Sequence, residues 1–469
     1  MTAAAGDAVA RLTIEPARWQ ADADSGLLKP RRTIAIAAVL IAMSLVVLDA
    51  GMANVALPSM ARSLHATPAR AVLVLTAYQT ALVMALLPGA ALGEWLGYRR
   101  VFAGGVVVFT AASALCAVSP SLPLLVAARF LQGLGGAGVM ALGVALLRAA
   151  VPRRMLGAAI GWNALTVALS SAASPALGAL ILAALGWPWL YLVNLPLGAL
   201  ALLAARALPP AGGTAQRLDV LSAALNGAAF ASLVLGAEVL PRAPLAAALL
   251  LATAALALLA LVRRELPKAA PLIPIDLLRQ RSFRLAVIAS ICCFTGQAAG
   301  LVALPFYLQH GFGLTPLAAG LYLTPWPLSV AAAATFTGRL ADRFSTAWLC
   351  ALGGVSLALG LGAAALWPLH GDPRLLIPFV IVCGLGFGLF QVPNNRTLFL
   401  SAPRERSGAA GGMQGAARLT GQTAGAILMT LLFTLSSVSA APRIGLGIGA
   451  AFTLAAALVS ASRGTARTR

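Results

Sequence analysis

Apolar residues in this chain fall into fourteen long runs, near 33–57, 71–92, 101–118, 122–147, 157–184, 187–207, 218–240, 244–262, 284–308, 316–337, 347–368, 375–400, 408–435 and 443–462. A helix crosses the hydrocarbon core of a bilayer with about 20 apolar residues, and the runs have that scale. Backbone polar groups in lipid must be satisfied within their own segment, so the pattern predicts an all-α polytopic membrane protein of fourteen transmembrane helices. An even number of crossings puts both chain ends on one side.

Composition agrees with lipid as the main solvent. Sixty per cent of the residues are hydrophobic, ten per cent are charged, and mean hydropathy is +0.91. Soluble domains run nearer one quarter charged. A net charge of +20 raises nucleic acid as a partner, but no basic helix, finger or aromatic-basic sheet motif accompanies it. The basic residues lie between the apolar runs. Of the 33 lysines and arginines, Arg62, Arg70, Arg242, Arg374 and Arg443 fall in loops opposite the termini, and Arg129, Arg396 and Arg418 fall within spans. The other 25 lie on the side of the termini. The positive-inside rule then makes both termini cytoplasmic; the membrane expected is the cell inner (plasma) membrane. The first 28 residues include Arg11, Glu15, Arg18, Asp22 and Asp24 and have no apolar core, which describes a polar tail and not a cleavable signal. Cys116, Cys292, Cys293, Cys350 and Cys383 sit within apolar runs and read as small core residues. There is no phosphate-cradling loop, no Ser/His/Asp set and no metal-ligand cluster, so enzyme chemistry, cofactors and metals are not expected.

One acid breaks the pattern. Asp49 lies well inside the first run, where a carboxylate is costly unless it meets a partner or a water-filled cavity; Glu238 lies only at the end of another run. Counted in residues at 1.5 Å each, Asp49 in span one and Arg129 in span four both lie roughly 12 Å below the outer surface. A guanidinium favours the carboxylate and burial favours the neutral acid, so the pair can either trade a proton or stand as a static ion pair that fixes helix packing.

An internal repeat accompanies it. Leu92-Gly93-Glu94-Trp95-Leu96-Gly97-Tyr98-Arg99-Arg100 follows span two, and Gly338-Arg339-Leu340-Ala341-Asp342-Arg343-Phe344-Ser345 follows span ten. Aligning Glu94 with Asp342 sets the copies 248 residues apart. Two six-helix bundles related by pseudo-two-fold symmetry, with two extra central helices between them, account for that offset. The implied organisation is a tail over 1–32, a bundle over 33–207, the extra pair over 218–262, a second bundle over 284–462 and a tail over 463–469.

At these turns the chain resembles the major facilitator superfamily. Four further stretches are similar to its fourteen-span drug:proton antiporters: Leu48-Asp49 with Asn54-Val55-Ala56-Leu57-Pro58; Arg129-Phe130-Leu131-Gln132-Gly133; Ser174-Pro175-Ala176-Leu177-Gly178-Ala179; and Trp187-Pro188-Trp189-Leu190-Tyr191-Leu192-Val193-Asn194-Leu195-Pro196. The resemblance implies proton-coupled export of amphipathic small molecules by alternating access. It places proton coupling on Asp49 and Arg129, a conformational latch on Glu94, Arg99, Arg100, Asp342 and Arg343, and the antiporter motif on Ser174, Pro175 and Gly178. Polar residues inside the spans are substrate-cavity candidates: Tyr78, Gln79, Gln132, Asn163, Gln297, Trp326, Gln391, Asn394 and Arg418. Trp95, Trp187, Trp189, Trp348 and Trp367 near span ends read as interfacial anchors. Arg396 and Arg418 either bond backbone carbonyls or replace a missing cationic partner in the second half. The partners implied are a small-molecule substrate, protons and the lipid bilayer; a periplasmic adaptor is left open. A transporter of one metabolite and a transport-inactive sensor or scaffold also fit a fourteen-span chain. With one deep acid, the cavity is expected to prefer neutral, monocationic or weakly acidic lipophiles over dications.

Overall fold

A computed structural model describes residues 27–210, 219–267, 275–368, 371–402 and 407–464; most of both tails lies outside them. Among the described residues there are fourteen long helical segments. The first six are α1 (Arg31–Ser63), α2 (Pro68–Leu96), α3 (Tyr98–Ala117), α4 (Leu122–Ala150), α5 (Arg153–Leu185) and α6 (Pro188–Ala205). Then come α7 (Val220–Val239) and α8 (Pro244–Glu265). The last six are α9 (Arg281–Gly311), α10 (Pro316–Arg343), α11 (Thr346–Leu366), α12 (Leu376–Leu400), α13 (Ser407–Leu435) and α14 (Ala441–Gly464). All but α13 are apolar and long enough by composition to span a membrane; α13 carries Gln414, Arg418 and Gln422. The side bearing both chain ends is called inner below.

Packing repeats with an offset of eight helices. In the first half α1 packs on α4, α5 and α6, α4 packs on α2 and α3, and α3 packs on α6. In the second half α9 packs on α12, α13 and α14, α12 packs on α10 and α11, and α11 packs on α14. The bundles meet at two seams, α2 with α13 and α5 with α10, which the same symmetry exchanges. Local chemistry repeats as well. Thr67 and Thr315 each cap a helix that starts with proline, accepting from Arg70 N at 3.4 Å and Ala318 N at 3.2 Å. Gly133 of α4 lies on the Tyr78 carbonyl and Gly384 of α12 on the Trp326 carbonyl; a Cβ at either would collide with that oxygen. Small residues let these backbones approach, as lipid-embedded helices require.

The extra pair is an appendage. Asn226 of α7 donates to the Met84 carbonyl of α2 at 3.0 Å, fixing the hairpin to the first bundle. On α8, Leu245, Leu249 and Leu256 recur at helical spacing and stay exposed, an apolar stripe suited to lipid. Glu265, fully buried at the inner end of α8, accepts from Ser222 of α7 at 2.6 Å. Composition windows end that span before Glu265 and miss it.

The two bundles share a core only in part. One apolar cluster runs across the outer half of the first bundle (Met52, Leu57, Ala179, Leu182) and most of the second (Val302, Leu304, Leu323, Phe387). The inner half of the first bundle forms a separate cluster, joined from the second bundle by Leu419 of α13. The inner end of the second forms a third around Phe283, Leu398 and Met413. At the outer side Gln309 of α9 donates to the Val55 carbonyl of α1 at 3.2 Å. Gly320 of α10 meets Pro175 and Ala179 of α5 so closely that a Cβ there would stand 2.8 Å from the Pro175 carbonyl oxygen.

Candidate functional site

Asp49 is 2% exposed and lies inside the first bundle, where side chains from α4 and α6 reach it. Arg129 of α4 forms an ion pair with Oδ2 through Nη1. Oδ1 accepts from Gln132 Nε2 of α4 at 2.9 Å and from Asn194 Nδ2 of α6 at 2.8 Å. Ser113 Oγ of α3 accepts from the same two amides at 2.7 and 3.2 Å and donates to the Phe109 carbonyl at 2.8 Å. The groups bonded to the carboxylate are all donors, an arrangement that suits its ionised form. A proton on either oxygen would meet a donor, so protonation must rearrange the cluster.

Arg129 is fully buried and held in its own plane. Its Nε donates to the Val74 carbonyl at 3.2 Å, and Nη1 also donates to Gln132 Oε1 at 2.6 Å. The guanidinium lies 4.2 Å from the Tyr78 ring centroid and 5.6 Å from that of Tyr191. Aromatic faces on a desolvated cation contribute roughly 2 kcal/mol or more. Nη2 has no partner among the described residues.

Chain geometry explains how these groups meet. The α6 backbone stays helical through Val193, between the pieces Pro188–Leu192 and Asn194–Ala205, but its hydrogen-bond ladder has a gap there. Pro196 has no N–H to give the Leu192 carbonyl, which removes one bond from the ladder. Asn194 begins the second piece and Tyr191 lies in the first, and both project toward α1 and α4. Among the described residues the second bundle has no such cluster. Ser113 corresponds to Leu361 by the 248-residue offset, and the Gly133/Gly384 register puts Val380 and Cys383 where Arg129 and Gln132 stand. All three are buried and none carries charge.

The sequence-derived cavity candidates divide into three groups. Tyr78 and Gln132 belong to the Asp49 cluster itself. Gln79 Oε1, Asn163 Oδ1, Gln297 Oε1, Trp326 Nε1 and Arg418 Nε are buried and unpartnered among the described residues, on α2, α5, α9, α10 and α13. These are the four seam helices and α9. A buried polar atom without a partner costs about 1–3 kcal/mol, so this group suits a space that takes water or solute. Asn394 is a correction: it donates to Ala286 O at 3.1 Å and Ser290 Oγ at 2.7 Å and accepts from Arg463 at 3.0 Å, tying α9, α12 and α14 together. Its hydrogen bonds are spent on packing. Gln391 is only partly buried.

At the latch residues the structure adds a partner from outside the quoted turns. Asp342 pairs with Arg396 of α12 at 2.6 Å, and not with Arg343, because adjacent residues on a helix point in different directions. Arg343, Arg100 and Glu94 are exposed at the inner surface and Arg99 is partly buried. Arg396 is thereby the partner of a surface acid, and not a backbone tie or a replacement cation in the core. Trp187 is not an interfacial anchor: it is 8% exposed and donates to Ser63 Oγ at 2.9 Å. Ser174, Pro175 and Gly178 lie where α5 crosses two helices. Ser174 lies on Gly51 and Gly178 on Met52 of α1, while the Pro175 carbonyl faces Gly320 of α10. Sequence reasoning missed Ser113; Tyr191 and Asn194 lay in a quoted stretch, but nothing in the spacing aimed either at the Asp49 cluster.

This fourteen-helix architecture with a buried acid in one bundle is that of a membrane transporter. The chain belongs to the major facilitator superfamily: the model of that family matches residues 39–426 and, again, 285–468. It is 45% identical over 416 residues to the uncharacterized transporter YebQ of Escherichia coli, covering 87% of this chain and 90% of that protein. It is 30% identical over 409 residues to the tetracenomycin C resistance and export protein of Streptomyces glaucescens, covering 84% and 74%. A crystal structure of a POT family transporter in complex with a thioalcohol-conjugated peptide shares the fold, with a TM-score of 0.70 at 14% identity over 90% of this chain and 94% of that one.

Proposed function

We propose that the chain is a proton-coupled exporter of amphipathic small molecules that works by alternating access in a cytoplasmic membrane. Both termini are cytoplasmic in this reading, and the transported solute exchanges for protons. The observation that carries it is the Asp49 cluster: an acid at depth, held by Arg129, Gln132 and Asn194, with no counterpart among the described residues of the second bundle. Ionisable groups inside membrane spans commonly mark proton relays, and this one is set at depth among side chains from α3, α4 and α6 whose hydroxyl and amide groups can re-pair when the acid takes a proton. The apolar core joining the outer halves supports a state closed outside. The orphaned polar atoms on the seam helices supply the solute path, and the similarity to a drug resistance and export protein supports the direction of transport.

The test is efflux from proteoliposomes under an imposed pH gradient, comparing the parent with Asp49→Asn. The variant removes the titrating group, so pH-driven efflux is expected to fall to the empty-liposome level while the protein still inserts. Undiminished gradient-driven efflux by Asp49→Asn would remove the proton role from this residue.

A further inference from the structure

Of the three arginines set within spans, two are paired: Arg129 with Asp49 inside the first bundle and Arg396 with Asp342 at the inner surface. Arg418 has no ion pair and no hydrogen bond among the described residues, and its Nε is buried without a partner. It lies eleven residues into α13 from the inner end, about 16 Å along the axis and so near mid-membrane. The helix that carries it forms a seam with α2. Across that seam α2 carries Tyr78, whose ring lies on Arg129. Gln79 Oε1, next on α2, and Thr423 Oγ1, further along α13, are likewise buried and unpartnered among the described residues.

We propose that Arg418 is the charge-recognition residue of the solute path and that the preferred substrates are aromatic or lipophilic monoanions, carboxylates above all. This rests on the export reading and names the substrate class for it. Arg418 is half-buried with only its Nε shut away, so water can reach the terminal nitrogens but leaves the charge uncompensated, and an unpaired charge at this depth is costly. Asp49 cannot serve: its two oxygens already accept from three donors, within the cluster that Tyr78 and Arg129 close. Helices α9 to α14 offer no acid at mid-depth, their described acids being Asp342 at the inner end of α10 and Asp372 in the loop before α12. A carboxylate matches the planar fork of the guanidinium, and an aromatic body can lie on the Tyr78 side. One arginine compensates one charge, so a dianion gains little over a monoanion, and a cation meets like charge where lipid screens least.

The experiment uses one scaffold at three charges: 7-methoxycoumarin-3-carboxylate, its carboxamide and its 2-(trimethylammonio)ethyl amide. Equilibrium binding to the purified full chain in lipid nanodiscs is read by fluorescence, for the parent, Arg418→Gln and Arg418→Lys. The parent is expected to bind the carboxylate at least about tenfold more tightly than the carboxamide, the equivalent of one well-placed charge-assisted contact, and to bind the cation most weakly. In Arg418→Gln that ratio is expected to fall near unity with carboxamide affinity unchanged, and Arg418→Lys is expected to keep part of it. Unchanged carboxamide binding shows that the variants are folded. Absence of a carboxylate preference in the parent, or its survival in Arg418→Gln, overturns the proposal. Efflux of the same compounds separates this result from the export reading. Gradient-driven efflux of the carboxamide or cation without any anion preference would leave export standing and Arg418 without this role. Arg418-dependent anion binding with no gradient-driven efflux would do the reverse.

Discussion

At the scale of the residue, the central question is why a carboxylate and a guanidinium share a site that is almost wholly dry. Removing one member of such a pair typically costs about 3–5 kcal/mol, because it strands the other charge. Asp49→Asn is therefore expected to lower thermal stability as well as coupling, and its transport is best compared per inserted molecule. Arg129 discriminates further. Arg129→Ala is expected to abolish gradient-driven transport, whereas Arg129→Lys retains a fraction, since an ammonium keeps a positive charge beside Asp49 but has no plane to set against Tyr78 and Tyr191. Equal transport by the two variants, measured in the same proteoliposomes, would mean that the fork and the rings contribute nothing. Counting residues along apolar runs was enough to set Asp49 and Arg129 at one depth, because rise per residue is fixed. It could not place Ser113 or Tyr191 at the site, because the rotation of α3 and α6 about their axes is set by neighbouring helices and not by run length.

At the scale of the element, gaps in the hydrogen-bond ladder matter more than continuous helix. The sixth apolar run reads as one span and its backbone stays helical through Val193, but the Leu192 carbonyl has no ladder donor at Pro196, and Asn194, which bonds Asp49, lies between them. Pro196→Ala restores the missing donor and favours a continuous helix by up to about 3 kcal/mol. The expected outcome is a protein at least as stable by thermal unfolding whose gradient-driven transport is reduced, because a mended α6 draws Asn194 away. Parallel losses of stability and transport would instead make Pro196 a packing residue. The tenth run has the same kind of gap at Thr324, ahead of Pro325 and Pro327, and Trp326 lies between those prolines at the position matching Tyr78. The repeat was legible from its inner turns, since a short polar signature survives between apolar runs. The partner of Asp342 was not legible, because Arg396 is 54 residues away and only the packing of α10 on α12 brings it near.

At the scale of the whole molecule, both seams carry unpartnered polar atoms, but α5 and α10 also touch backbone to backbone at Gly320, and that contact bears on how the bundles rock. Topology is checked first: reporter fusions after Pro241 and after Arg264 are expected on opposite faces, outer and inner, because α8 crosses between them. The same face for both would remove the extra pair from the membrane. The outer closure is then open to a sharper test. Gly320 of α10 faces the Pro175 carbonyl and Ala179 of α5 with no room for a side chain, and Gln309, also on the outer side, is 6% exposed. Gly320→Val puts branched carbon where two backbones touch, and the cheapest relief is to separate the outer ends of α5 and α10. A cysteine introduced at Gln309 and probed from outside with a membrane-impermeant maleimide, corrected for the native cysteines, reports that separation. Labelling is expected to be slow when Gly320 is kept and several-fold faster in the Gly320→Val background. Faster labelling with retained solute binding would show that this contact holds the outer face shut. Unchanged labelling in a folded Gly320→Val protein would mean that closure is carried elsewhere in the shared outer core, and Pro175 would then be a bend without a seal.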